Sequence, residues 1–173
     1  MPRKSLEHLN CSWAQAAEAM GDKWSMMIIR DAFYGVKTFS AFADSIGISK
    51  NILSQRLEHL QQHDILAKRP IGTGSSRSEY VLTEKGKALF PVIMALGQWA
   101  DHWIFGDGKA PIVVVDLEER KPIKTLKVES EDGRELTIRD ITFAAGPGAS
   151  DSTRQTVAEV EASLKSGAIG SKL

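Results

Sequence analysis

Residues 39–67 read FSAFADSIGISKNILSQRLEHLQQHDILA, and the fold is decided there. Phe39, Phe42, Ala43 and Ile46 recur at i, i+3, i+4, i+7, the stripe of a short amphipathic helix opened by Thr38 as N-cap. Gly47 suits the left-handed residue that ends a helix, Ile48 reads as a buried plug, and Ser49 caps a second helix. Leu53, Leu57 and Leu60 line one side of that second helix. Asn51, Ser54, Gln55 and Glu58 mark the other, with Lys50 and Arg56 on the flanks. Two helices joined by a short glycine turn, the second with a polar outer face, predict a helix-turn-helix. That face carries groups that bond base edges and phosphates.

The flanking chain extends the pattern. Upstream, Trp13, Ala16, Ala17 and Met20 predict a helix from Cys11 to Gly21, and the apolar run Lys23 to Tyr34 predicts a central helix closed by Gly35. Downstream, Ile65–Arg69 and Glu79–Leu82 predict two strands around the polar loop 70–78, a hairpin or wing with Arg69 at its base and Arg77 at its tip. Thr83 then caps a helix expected to run to about Trp103, with Pro91 kinking it or shifting its course. Its stripe of Leu89, Val92, Leu96, Trp99 and Trp103, broadened by Ile93, exceeds what one small domain can cover. The excess predicts a subunit interface, to which Trp13 is also assigned.

In this order the residues resemble a known family. Cys11, Gly21-Asp22-Lys23-Trp24, Phe39, Gly47-Ile48-Ser49, Leu53, Arg56-Leu57, Leu60, Ile65, Glu79 to Thr83, Gly86, Pro91-Val92 and Trp99 look like the HxlR family of bacterial winged-helix transcriptional regulators. The match covers about residues 11 to 104. It implies an α+β winged helix-turn-helix with a dimerisation helix, acting as a homodimer on double-stranded DNA. Asn51, Ser54 and Gln55 would then read bases, while Ser49, Lys50, Arg56, Arg69 and Arg77 would hold phosphates. Thr38 joins them where the family commonly carries an arginine. Other departures are Asp22 for the family's second glycine, Ser12 for a proline, and Gly74-Ser75-Ser76 where prolines are frequent in the wing.

Beyond Gly106 the composition shifts, and the expected division is a winged-helix and dimerisation domain over 1–106 and a strand-rich extension with a terminal helix over 107–173. Residues 111–117, 122–129 and 135–143 read as strands, with Glu131-Asp132-Gly133-Arg134 as a hairpin turn. A final helix starts at Ser150 or Asp151 and carries Val157, Val160 and Leu164.

Composition narrows the function. The 173 residues carry no net charge, with 22 Lys+Arg against 22 Asp+Glu, so any phosphate-binding surface must be concentrated on one face. No apolar run is long enough to cross a membrane and no export signal opens the chain, which points to the cytoplasm. Neither a phosphate loop nor a dinucleotide fingerprint occurs. His59 and His63 have helical i, i+4 spacing but no surrounding zinc motif, and read as solvated residues. No catalytic activity, cofactor or metal is expected. Cys11 is the single cysteine. It reads either as a small buried hydrophobe or as a thiol sensor, since the positive end of a helix favours reactive sulfur. Two alternatives to a simple DNA-binding regulator therefore stand. One is a thiol- or small-molecule-responsive sensor of the same fold, its effector held between the dimer helices near Met94, Trp99 and Trp103. The other is a winged-helix module that binds protein.

Overall fold

The structure is a computed structural model and describes residues 5–72 and 77–165. Four helices come first: α1 (Ser12–Met20), α2 (Lys23–Phe33), α3 (Phe39–Ile46) and α4 (Lys50–Gln62). The hairpin follows as β1 (Leu66–Pro70) and β2 (Ser78–Leu82), then α5 (Glu84–Lys87) and α6 (Phe90–Ala100), which runs into a π-helical turn over Asp101–Phe105. Beyond these lie β3 (Val128–Glu129), β4 (Glu135–Leu136) and α7 (Asp151–Lys165). Packing divides the chain into a unit of residues 16–125 and a second made by the described residues up to Gln15 together with those from Leu126 onward.

In the larger unit the core is built where α2, α3 and α4 meet the hairpin. Ile28 and Ile29 of α2, Phe42 of α3, and Leu53, Leu57 and Leu60 of α4 are fully buried, joined by Ile65, Leu66 and Tyr80 from the hairpin. The local signals act as expected. Thr38 Oγ1 accepts the Ala41 N–H at 3.3 Å. Gly47 takes φ 68° to end α3, and Ser49 caps α4. The two strands are antiparallel with Leu66 opposite Leu82 and Arg69 opposite Glu79. A further bond, from the Tyr80 N–H to the Lys37 carbonyl at 2.7 Å, fastens the residue before the α3 cap to the edge of β2. The wing is thereby fixed to the helix-turn-helix. Its tip, the Gly74-Ser75-Ser76 expectation included, lies outside the described residues.

Three expectations are corrected. The helix from Thr83 to Trp103 is interrupted: α5 ends at Lys87 and α6 begins at Phe90. Pro91 therefore sits in the first turn of α6, where an N–H would have no helical partner anyway. Within the supposed interface stripe, Ile93 is buried in the core of its own chain and Leu89 packs half-buried against it. Both hold α6 down instead of facing outward. The strands expected over 111–117, 122–129 and 135–143 reduce to one isolated bridge, Val115 to Pro122, and to two-residue β3 and β4. Alternating sequence was present, but an isolated pair of strands is marginal without a third strand or a covering layer. Accordingly Ile112, Val113, Leu117, Val128 and Ile138 remain exposed. The turn itself forms, with Gly133 at φ 83° and the Ser130 N–H bonded to the Arg134 carbonyl at 2.9 Å.

The smaller unit is held by polar bonds between the two ends of the chain. Asn10 Oδ1 accepts from the Ser150 N–H at 2.9 Å and from Thr153 Oγ1 at 2.9 Å, and its Nδ2 donates to the Gly148 carbonyl at 3.3 Å. Trp13 meets Phe143 edge to face at 6.1 Å. Val157, Val160 and Leu164 are half-buried along one side of α7.

Candidate nucleic-acid interface

The outer side of α4 is the site's centre. Leu53, Leu57 and Leu60 anchor the helix, and 3.6-residue periodicity then turns Lys50, Asn51, Ser54, Gln55 and Glu58 to solvent, where all five are exposed. Ser49 and Thr38 stand at the N-termini of α4 and α3, where free backbone N–H groups and the helix dipole favour an anion.

Arg56, expected to hold a phosphate, has a partner within its own chain. It turns back to α2, its Nη1 lying 3.5 Å from Asp22 Oδ2 with the side chain only one-third exposed. Asp22 is the N-cap of α2. Its Oδ1 accepts the N–H groups of Trp24 at 3.0 Å and Ser25 at 3.1 Å, and its Oδ2 the Ser25 hydroxyl. Burial pushes its carboxyl up, but the bonds from Ser25, the Arg56 guanidinium and the Trp24 N–H together outweigh this and hold it below its ordinary value. Arg56 thus ties the recognition helix to the start of α2. The signal was in the sequence: Asp22 replaces a family glycine directly before Lys23-Trp24.

The histidines are also corrected. His59 is half-buried with Nε2 3.0 Å from the Glu18 carbonyl of α1, and its ring lies 4.4 Å from that of His63. They join α4 to its surroundings and are not freely solvated. Among the described residues no group of three His, Cys, Asp or Glu side chains is placed to hold a metal ion.

At the base of the wing Arg69 and Lys37 line one hollow of about 450 Å³ together with Lys87 and Glu84. Lys37 Nζ reaches Glu79 at 4.0 Å, and Glu79 is the cross-strand neighbour of Arg69. The strand register thus sets Arg69 beside the Lys37–Glu79 pair. Lys37 was missed from the sequence because it precedes the motif, and its contacts with Tyr80 and Glu79 show that it belongs with the wing. Arg77 is exposed where the chain re-enters β2.

On the far side, the apolar stripe of α6 is uncovered: Trp99 is 54% and Trp103 71% exposed, with Val92 and Leu96 between a third and two-thirds exposed. Trp13 is 73% exposed on α1. Cys11 is exposed immediately before α1, its carbonyl accepting the Gln15 N–H at 3.0 Å. That removes the reading of Cys11 as a buried hydrophobe. Among the described residues no helix is long and apolar enough to cross a membrane.

A three-helix core, a helix-turn-helix with a polar outer face and a hairpin bonded to the residue before the cap of its first helix define a winged helix-turn-helix, a DNA-binding class. The pattern of HxlR-like helix-turn-helix proteins matches residues 19–107. The chain belongs to this family of transcriptional regulators. It is 33% identical over 137 residues to an uncharacterised helix-turn-helix-type regulator of Mycobacterium bovis, Mb3122, covering 79% of this chain and 87% of that one. It is 33% identical over 89 residues to the regulator YodB of Bacillus subtilis, covering 51% and 80%. Among solved structures it is similar to PA1607, proposed to be a transcription factor, with a TM-score of 0.78, 36% identity, and 83% of this chain and 100% of that one covered. That likeness extends well beyond residue 107.

Proposed function

We propose that the protein acts as a homodimer that binds a pseudo-palindromic operator, each copy laying α4 in a major groove and its wing on the flanking backbone. The observation that carries this reading is the two-sidedness of α4: a leucine face at zero to 1% exposure and an opposite face of fully offered amide, hydroxyl and ammonium groups. Asn51, Ser54 and Gln55 are assigned to base edges, because amides and hydroxyls there can discriminate donor and acceptor patterns. Ser49, Lys50, Thr38, Arg69, Arg77 and Lys37 are assigned to phosphates and set the register of the helix. The exposed stripe Val92, Leu96, Trp99 and Trp103, with Trp13, is assigned to the second copy. Two-fold symmetry then sets the half-sites roughly 34–36 Å apart, one helical turn. Footprinting on the DNA flanking the protein's own gene tests the assignment. Two protected patches one turn apart are expected, and a chain that sediments as a monomer on DNA and protects one patch would overturn the dimer.

A second reading concerns control. The exposure of Cys11 supports a thiol-responsive regulator. Because no other cysteine exists in the chain, a two-electron oxidant such as diamide would join its sulfur in a disulfide to the same residue of the second copy or to a small thiol, the oxidant taking up both thiol hydrogens.

A further inference from the structure

Within residues 16–125 a cavity of about 890 Å³ opens between α2, α6 with its π-helical turn, and the segment 110–125. Its α2 wall is Met26, Met27 and Phe33, and its α6 wall Ile93, Met94 and Gly97. The third wall is Ile112, Val113 and Ile123. Trp99 and Trp103 are absent from the lining. Helical periodicity explains why: 93, 97 and 100 fall on one stripe of α6, and 92, 96, 99 and 103 on the next. The interface assigned to a second copy and the cavity thus use different sides of one helix, sharing only Leu96. The sequence suggested an effector between the dimer helices near Met94, Trp99 and Trp103; this hollow lies inside a single chain and shares Met94 with that reading.

The chemistry of the walls selects the occupant. Aliphatic side chains make up most of the lining, and the thioethers of Met26, Met27 and Met94 and the rings of Phe33, Tyr34 and Phe105 give it polarisable places against which a flat apolar group can pack. The charged groups at the rim are already engaged: Arg30 donates to Asp31 Oδ1 from Nε at 2.8 Å and Nη2 at 2.6 Å, and His102 Nδ1 lies 2.7 Å from Asp107 Oδ1. Both cations of the lining are thus already paired with carboxylates, and Asp101 adds a further acidic side chain. The volume is that of pockets which enclose drug-sized molecules. Ile112 and Val113, each more than half exposed, gain cover when it fills.

We infer that this cavity is a binding site for an uncharged, largely apolar small molecule carrying an aromatic ring. One of its walls, α2, packs on both α3 and α4 and is tied to α4 by Asp22 and Arg56. An occupant that displaces α2 therefore tilts the recognition helix. This coupling rests on the DNA-binding reading above, whereas occupancy itself does not.

The test uses the full chain and N-phenyl-1-naphthylamine, an uncharged probe that fluoresces in apolar surroundings. One saturable site per chain is expected. At Gly97 an added Cβ meets nothing within 4 Å. Gly97→Leu fills the hollow while improving helix propensity, and should weaken the probe by about tenfold or more, some 1.4 kcal/mol, with thermal stability kept. Trp99→Ala, on the other stripe, should leave binding unchanged. Absence of saturable binding overturns the site, and loss with Trp99→Ala places the probe on the exposed stripe and overturns it as well. Gel retardation with and without probe separates the two readings. DNA binding indifferent to a bound probe overturns only the coupling, and a chain that retards no DNA overturns the operator assignment while the fluorescence result still decides the cavity.

Discussion

Asp22→Ala is the most discriminating perturbation of the fold, because it tests whether Arg56 serves the protein or the DNA. The substitution removes the cap of α2, worth about 1 kcal/mol. It also removes the acceptor of the Ser25 hydroxyl, about another 1 kcal/mol, and the ion pair with Arg56, about 0.2–1 kcal/mol for a pair still partly wetted. These share one carboxylate and are not strictly additive, so a loss of about 2–3 kcal/mol is expected in urea denaturation followed by circular dichroism. Asp22→Asn keeps a capping oxygen but not the charge, and should cost about 1 kcal/mol. The carboxyl is held below its ordinary 3.8 in the folded chain. The stabilisation due to its charge is therefore complete above that value and disappears as pH falls through the lower folded one. The gap between wild type and Asp22→Ala should be flat from neutral pH down to about 4 and narrow below it by the charge-dependent part, the neutral carboxyl still offering a capping oxygen. Arg56→Ala should likewise destabilise, and a double-mutant cycle with Asp22→Ala should show coupling. If Arg56→Ala left stability untouched but weakened DNA binding and flattened its salt dependence, the reasoning would be wrong and Arg56 would return to the phosphates.

Gln55→Ala should relax base preference at one operator position at a cost of about 1–3 kcal/mol. Arg77→Ala should instead weaken all sequences alike and reduce the salt slope by about one; gel retardation across operator variants and salt separates them, and the reverse pattern would exchange their roles. Gly86→Ala would place a Cβ 2.2 Å from the Ile65 carbonyl oxygen, a backbone atom with nowhere to go. A loss of about 1–3 kcal/mol in a thermal or urea melt is the expectation. Cys11→Ser should bind DNA as wild type does and resist release by diamide; equal release from both proteins would dismiss the thiol reading.

Much of this architecture could be read before any coordinates. Caps, glycine stops and leucine spacing are local signals, and Thr38, Gly47, Ser49, Leu53, Leu57 and Leu60 behave in the structure as their spacing requires. What escaped depended on partners distant in the chain. Arg56 sits on the flank of a polar helix face, and nothing local says that Asp22, 34 positions earlier, claims it. Ile93 shares the apolar character of Val92 and Leu96, and only the break before Pro91 decides which of them turns inward. Lys37 precedes the motif, and its place beside the wing follows from contacts with Tyr80 and Glu79, more than 40 positions later. In the extension, alternation was a true property of the sequence but had no third strand to pair with.

The smaller unit draws on both ends of the polypeptide, and this orders its synthesis. Asn10 emerges from the ribosome long before Ser150 and Thr153, so its amide must wait in water for acceptors and donors that are not yet made. The helices of residues 16–125 need nothing from beyond that span to close their core. A version trimmed after Thr125 would keep the recognition helix and wing but strand the N-terminal arm, leaving Trp13 without Phe143. Shortening this protein at its tail is therefore also an alteration at its head.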